Sequence, residues 1–310
     1  MKKATTIDQQ IEILKKRNVE IIDEKKAKEI LLDIGYYHLG YYFFPFEVTY
    51  PELNNRDHTM HVGTRFSDAV ALYYFDFEIR NILSKYINRI EVAFRTYIIY
   101  YMSNKYPDNP CWFIDKGIVK ESFTDSFDES CYKSIKLNPN IRRHHKKYRM
   151  DKYAPAWKTL EYMTLGNMLM LYKSLINLTD KLDISRHFKV NQTTVFENYI
   201  ETIRFIRNIC AHGSVLYDTR LYHPVKNGPA GKVSSEETYS LSGAIKVISY
   251  LIGMVSSNRQ HDLIVDLNKA YMSLKNKGEG LQKIVESATH MSWELVEISK
   301  LETYIKKQDS

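Results

Sequence analysis

Ser67–Lys105 reads SDAVALYYFDFEIRNILSKYINRIEVAFRTYIIYYMSNK. No proline or glycine interrupts it, and apolar side chains recur at three- and four-residue steps through Phe75, Ile79, Leu83, Ile87, Ile90, Phe94 and Ile98. That period is one face of an α-helix. The stretch therefore predicts one very long helix, or two that meet end to end, stopped by Pro107 and Pro110.

The same period governs the sequence on either side. Ile7, Ile11 and Leu14 mark a short amphipathic helix, and Ile30, Leu31 and Ile34 mark a second with Asp23 as its N-cap. Further helices are expected over roughly 156–176, 180–188, 192–212, 236–257, 260–275 and 279–305. Strand signals are weak, apart from a short extended piece near 41–50 in the stretch that Gly35, Gly40, Pro45 and Pro51 break up. The expected fold class is all-α, a single domain spanning 1–310. Residues 115–152 differ in kind. They hold Gly117, Pro139 and few periodic apolar residues, then Arg142-Arg143-His144-His145-Lys146-Lys147-Tyr148-Arg149. This segment is expected as an inserted, exposed basic arm or loop within the domain.

Composition limits the partners. The 310 residues carry a formal charge of +7, which suits a polyanion without demanding one. Arg142, Arg143, Lys146, Lys147, Arg149 and Lys152, interleaved with Tyr148 and Tyr153, are the densest cationic patch and the candidate phosphate contacts. Most of the 24 tyrosines are expected in the core. Three widely spaced cysteines and the start Met1-Lys2-Lys3 predict a reducing, cytoplasmic setting rather than disulfides. No run approaches the ~20 apolar residues of a membrane span, so no membrane partner is expected. Neither a phosphate-cradling glycine loop nor a dinucleotide fingerprint is present. His58, His61, Cys111 and Cys131 match no standard zinc finger, so no metal or cofactor is expected.

One short stretch carries chemistry. Arg207-Asn208-Ile209-Cys210-Ala211-His212-Gly213 lies at the end of a helix whose apolar stripe is Phe196, Ile200, Ile203, Ile206, Ile209 and Cys210. Arg204, Arg207, Asn208, Ala211 and His212 share another face, and Gly213 suits the residue just past the helix end. A permanent cation, an amide and an imidazole, with no matched nucleophile, suit cleavage of a phosphodiester whose own 2′-hydroxyl attacks. That substrate is RNA. Spacing alone leaves a plainer alternative open: an ordinary helix end whose histidine caps carbonyls and whose arginines pair with acids. Arg56 and His61 satisfy the same spacing and are set aside, since they lie in an Asn/Asp-rich loop without helical period.

The wider sequence resembles a known family. Arg207-Asn208-Ile209-Cys210-Ala211-His212 matches the R-N-x-x-A-H form of the motif of HEPN-type ribonucleases. Ile34-Gly35-Tyr36-Tyr37-His38-Leu39-Gly40-Tyr41 with Pro45-Phe46 looks like the I-G-Y-Y-R-L-S-G-Y and P-F segments of bacterial abortive-infection proteins of the AbiD/AbiF type. Leu72-Tyr73, Phe75-Asp76, Leu83, Ile90-Glu91 and Arg95-Thr96 resemble that family's L-Y-x-F-D, I-E and L-R-T helix. The resemblance runs over roughly residues 10–110 and 155–220 in the family's order. His38 departs from it, where an arginine is expected, as does the length of segment 115–152.

The resemblance implies a HEPN-like helical bundle with additional helices. It also implies a metal-independent endoribonuclease of a phage-defence system, acting by abortive infection or as a toxin. His212 would move a proton to or from the reacting oxygens, Arg207 would neutralise the phosphorane, and Asn208 would orient one of them. Arg204 would add an RNA contact, and a homodimer would complete the site. RNA is the implied partner, both as target and as a cognate small noncoding RNA; DNA is not. The alternative function is a non-catalytic RNA-binding scaffold that forms a ribonucleoprotein with such a small RNA. A weaker third reading has the Tyr-rich 35–50 stretch sensing a phage protein.

Overall fold

The computed structural model describes residues 3–291. Over these residues every regular element is helical, and extended contacts are confined to isolated bridges such as Glu47 with Met60. The chain is all-α, as its periodicity predicts.

The elements run α1 (Ile7–Lys16), α2 (Glu24–Ile34), α3 (Tyr36–Phe43), α4 (Phe66–Lys105), α5 (Glu121–Phe127), α6 (Lys133–Ile135), α7 (Pro139–Lys147), α8 (Ala156–Thr159), α9 (Leu165–Ser174), α10 (Leu178–His187), α11 (Thr193–His212), α12 (Leu241–Val255), α13 (Ser257–Lys275) and α14 (Glu279–Thr289). Local chemistry explains several starts. Asp23 accepts from the Lys26 amide at 2.9 Å, as expected of the α2 cap, and Thr6 with Gln9 forms a capping box at α1.

The stretch read as one or two helices is a single helix of 40 residues, about 60 Å long at 1.5 Å per residue. α3, α9, α10, α11, α12 and α13 all pack on it. Being covered on several sides, α4 buries residues on more than one stripe, from Phe66 and Leu72 through Tyr86 and Ile90 to Met102. α11 lies on α4 through the predicted stripe: Phe196, Ile200, Ile203 and Ile206 are fully buried, while Ile209 and Cys210 remain partly accessible near the helix end. Phe196 meets Phe94 of α4, Tyr172 of α9 and Phe188, with ring centroids 5.3–5.8 Å apart. Several tyrosines, including Tyr37, Tyr100, Tyr148 and Tyr222, are exposed rather than in the core.

Three expectations need correction. The piece near 41–50 is not extended. α3 runs to Phe43, a single 3₁₀ turn follows over Phe44–Phe46, and only Glu47 makes a bridge. Gly40 sits inside α3 with open space around its Cα, so the glycine breaks nothing there. Segment 115–152 is not an exposed loop. It folds as α5, a π-helical turn over Asp128–Tyr132, α6 and α7, and it buries Phe123, Phe127, Tyr132, Ile135 and Ile141. The π turn shifts the register of the apolar residues, which hides the 3.6-residue period, and Pro139 stands at the first position of α7, where a missing N–H costs nothing. The loop with Arg56 and His61, set aside as a site and expected as a solvated loop, is anchored instead. Arg56 and His58 converge on the buried carboxylate of Glu47, at 2.6 and 2.9 Å. The predicted 279–305 helix is seen as α14 to Thr289, and its part beyond 291 lies outside the described residues. Among the described residues no helix is long and apolar enough to cross a membrane.

Phe196 joins α4, α9 and α11, so Phe196→Ala leaves a cavity among rings that cannot collapse. Its unfolding free energy in a denaturant titration should fall by about 3–5 kcal/mol.

Candidate active site

The motif occupies the last turns of α11. Gly213 follows at φ 69°, the left-handed conformation that ends helices and that only glycine takes without strain, and its amide donates to the Ile209 carbonyl. Arg207, Ala211 and His212 are exposed and Asn208 is partly so. The side chains of Asn208 and His212 have no hydrogen-bond partner among the described residues. Arg207 keeps 43% of its side chain exposed, with Nε 3.9 Å from Glu91 of α4. Glu91 also pairs with Arg95 at 3.0 Å, and Arg95 donates to the Met163 carbonyl at 3.0 Å. The i, i+4 pair of Glu91 and Arg95 thus continues to the motif arginine. Arg204, one turn earlier, is held by Glu201 at 2.9 Å, and Glu201 also pairs with Lys173 at 2.6 Å.

The turn after Gly213 is fixed from beneath by a carboxylate of α4. Asp76 of α4 is fully buried, and its carboxylate accepts from the Leu216 amide at 3.0 Å, the Tyr217 amide at 2.7 Å and the Tyr42 hydroxyl at 2.8 Å. Arg80, one turn on, lies 3.5 Å from the same carboxylate and donates to the Ser214 carbonyl at 3.4 Å. A Cβ at position 213 would stand 3.3 Å from Arg80 Nη1, so glycine there serves close approach as well as backbone conformation. The clamp was legible in principle. Asp76 falls on the stripe of Leu72, Ile79 and Leu83, and a carboxylate on a buried stripe must have partners.

Electrostatics follow from that burial. Despite its three hydrogen-bond donors and the Arg80 charge, the loss of water raises Asp76 from the ordinary carboxylate value to about 6. His38, where the resemblance expects arginine, packs edge-on against Tyr42 and Tyr73, and burial together with Arg80 lowers its pKa. The histidine thereby avoids a second permanent cation beside Arg80. Burial pushes the Cys210 thiol up to about 11, which leaves it protonated and a poor nucleophile at neutral pH.

The candidate RNA-binding cations lie on a different element. Arg142, Arg143, Lys146 and Lys147 are exposed on α7, with Arg149 just beyond it. Lys152 does not join them in the way expected. Its ammonium turns to Asp128 at 3.0 Å and sits over the Tyr153 ring at 4.9 Å. His58, on Glu47, is likewise apart from Cys111, whose sulfur faces the Tyr153 and Ala154 carbonyls at 4.0 Å.

Because the folded state raises the pKa of Asp76, the unfolded chain ionises this group more readily. The residue's contribution to stability is therefore complete below about pH 4 and is lost as pH rises through about 6. Relative to Asp76→Asn, the wild-type unfolding free energy should fall between pH 4 and pH 7 by up to about 3 kcal/mol, from a shift of about two units. Parallel pH profiles for the two proteins would refute this.

Residues 29–218 match the family model for Abi-like proteins, while no curated protein and no solved structure matches the chain. The matched span covers more than half of the chain. It begins in α2 and ends at residue 218, one residue past the Tyr217 amide that Asp76 holds, so the clamp and the whole motif fall within it. The chain belongs to the Abi-like protein family, and this membership places it among abortive-infection proteins, which act in phage defence.

Proposed function

We propose that the chain is a metal-independent endoribonuclease of HEPN type, working in abortive infection or as a toxin-like effector, with Arg207, Asn208 and His212 as its catalytic residues. The observation that carries this reading is the state of those groups. They stand accessible at a helix end clamped from below, and the amide and imidazole are unengaged among the described residues. The 2′-hydroxyl of the RNA attacks phosphorus as His212 takes its proton, the bond to the 5′-oxygen breaks, and the imidazolium so formed returns that proton to the leaving oxygen. Arg207 neutralises charge on the phosphorane, and Asn208 orients the imidazole or a phosphate oxygen. Cys210, held protonated, does not compete as nucleophile. The absence of a carboxylate from the motif favours chemistry carried by arginine, amide and imidazole.

A second copy of the chain completes the site. On one helix, positions 207 and 212 are roughly 140° apart around the axis and about 7.5 Å apart along it. A single phosphate is better flanked by Arg207 of one copy and His212 of the other. The exposed cations of α7 favour a second reading, in which the protein binds a small noncoding RNA as a ribonucleoprotein without cutting it.

Purified protein should cleave RNA in the presence of EDTA to leave a 2′,3′-cyclic phosphate and a 5′-hydroxyl. His212→Ala and Arg207→Ala should each slow cleavage by about 10²–10⁴-fold, with unchanged unfolding midpoints because both side chains are exposed. If His212→Ala protein cuts like wild type, this site is wrong. An intact, defined small RNA that copurifies, with no cleavage of any RNA tested, would favour the scaffold.

A further inference from the structure

α7 is anchored on one side only. Ile141 and His144 are buried, His144 Nε2 lies 3.0 Å from an Asp151 oxygen, and His145 Nε2 lies 2.6 Å from the Tyr132 hydroxyl. The other side presents Arg142, Arg143, Lys146 and Lys147, with Arg149 beyond. All five are exposed, and none makes an ion pair among the described residues. Positions 142 and 146, like 143 and 147, are neighbours one turn apart, so the cations repel one another along the helix. Elsewhere in the chain cations are commonly paired, as Lys152 is with Asp128 and Arg204 with Glu201. An unpaired, self-repelling face is relieved by a polyanion.

Flat apolar surface lies beside this charge. Tyr148 is 45% exposed and Trp157, in the short helix α8 that packs against α7, is 53% exposed. The Tyr148 ring is held 4.9 Å from the His144 ring, with Lys147 Nζ 5.2 Å from its centroid. By contrast Trp112 is fully buried, its indole donating to Ser103 at 3.2 Å. A duplex hides its base faces and needs only phosphate contacts, whereas an unpaired strand offers both phosphates and faces for stacking.

We propose that α7 and α8 form a stacking platform for single-stranded RNA. Trp157 and Tyr148 stack on unpaired bases while Arg142, Arg143, Lys146 and Arg149 hold the phosphates. The proposal rests on the reading of this protein as one that acts on RNA, and it makes the substrate single-stranded. A series of direct contacts joins the platform to the motif. Asn140 of α7 donates to the Tyr162 hydroxyl at 2.8 Å, the neighbouring Met163 carbonyl holds Arg95, and Arg95 shares Glu91 with Arg207.

The test is binding of a short labelled oligoribonucleotide, alone or annealed to its complement, by fluorescence anisotropy, with His212→Ala as background to prevent turnover. The single strand should bind at least about tenfold tighter than the duplex. Trp157→Ala and Tyr148→Ala should each weaken single-strand binding by about tenfold, and Trp157→Phe should recover most of the loss. Arg142→Ala combined with Lys146→Ala should flatten the salt dependence, which the ring variants leave in place. Equal binding of duplex, unchanged binding by both ring variants, or no RNA binding at all (as for a face that docks a protein) overturns the platform. RNA cleavage by wild type with no effect of the ring variants leaves the nuclease standing and removes the platform. Stacking-dependent binding with no cleavage by wild type does the reverse. Trp157 and Tyr148 are exposed, so unchanged unfolding midpoints exclude a folding defect.

Discussion

A buried carboxylate ties the candidate site to the rest of the molecule. Asp76 projects from the first third of α4 into the buried interior, where it accepts two backbone amides from the turn after α11 and one hydroxyl from α3. Leaving those amides unpaired would cost more than the contacts themselves contribute, because a buried donor without an acceptor keeps its full desolvation penalty. The position of residues 213–217 relative to α4 is thereby fixed, and with it the direction in which α11 ends. Arg80 supplies the balancing charge and also grips the Ser214 carbonyl, so the clamp holds the turn through both donors and acceptors.

Two sets of charges in this protein do different work. On α4, Asp76 with Arg80 and Glu91 with Arg95 are buried or half-buried pairs. Such pairs are costly to desolvate and poor at adding net stability, yet removing one partner is strongly destabilising, which makes them good at specifying a single arrangement. The cations of α7 are exposed and, among the described residues, unpaired, which adds nothing to the fold and suits long-range attraction of a polyanion. Arg207 stands between the groups. It is near Glu91 at 3.9 Å, a long and weak contact, so it is oriented by α4 without being consumed by it.

Much of this was legible in the primary structure, for physical reasons. The helical period of Ser67–Lys105 and of Phe196–Cys210 survives because each helix buries a continuous stripe, and the Asp23 cap and the Gly213 terminus follow from local backbone chemistry alone. Segment 115–152 was misread because a π turn breaks the period on which the reading depends. Residues 41–50 were misread because glycine and proline signal breaks, yet Gly40 is tolerated inside α3. Lys152 was grouped with the α7 cations by nearness in sequence, but its ammonium turns to Asp128.

The sequence alone determined the all-α class, the helical character of Ser67–Lys105 and its C-terminal stop, the helix that carries Arg207 and His212, and the family to which the chain belongs, because these depend on local periodicity, capping and motif order. Only the tertiary structure decided that Asp76 and Arg80 hold the turn 140 residues downstream, that Glu91 reaches Arg207, and which lysines and arginines stay free. Those are contacts between residues far apart in the chain. Their cost is set by burial and by the partners that burial brings within reach, and neither is encoded in the spacing of neighbours.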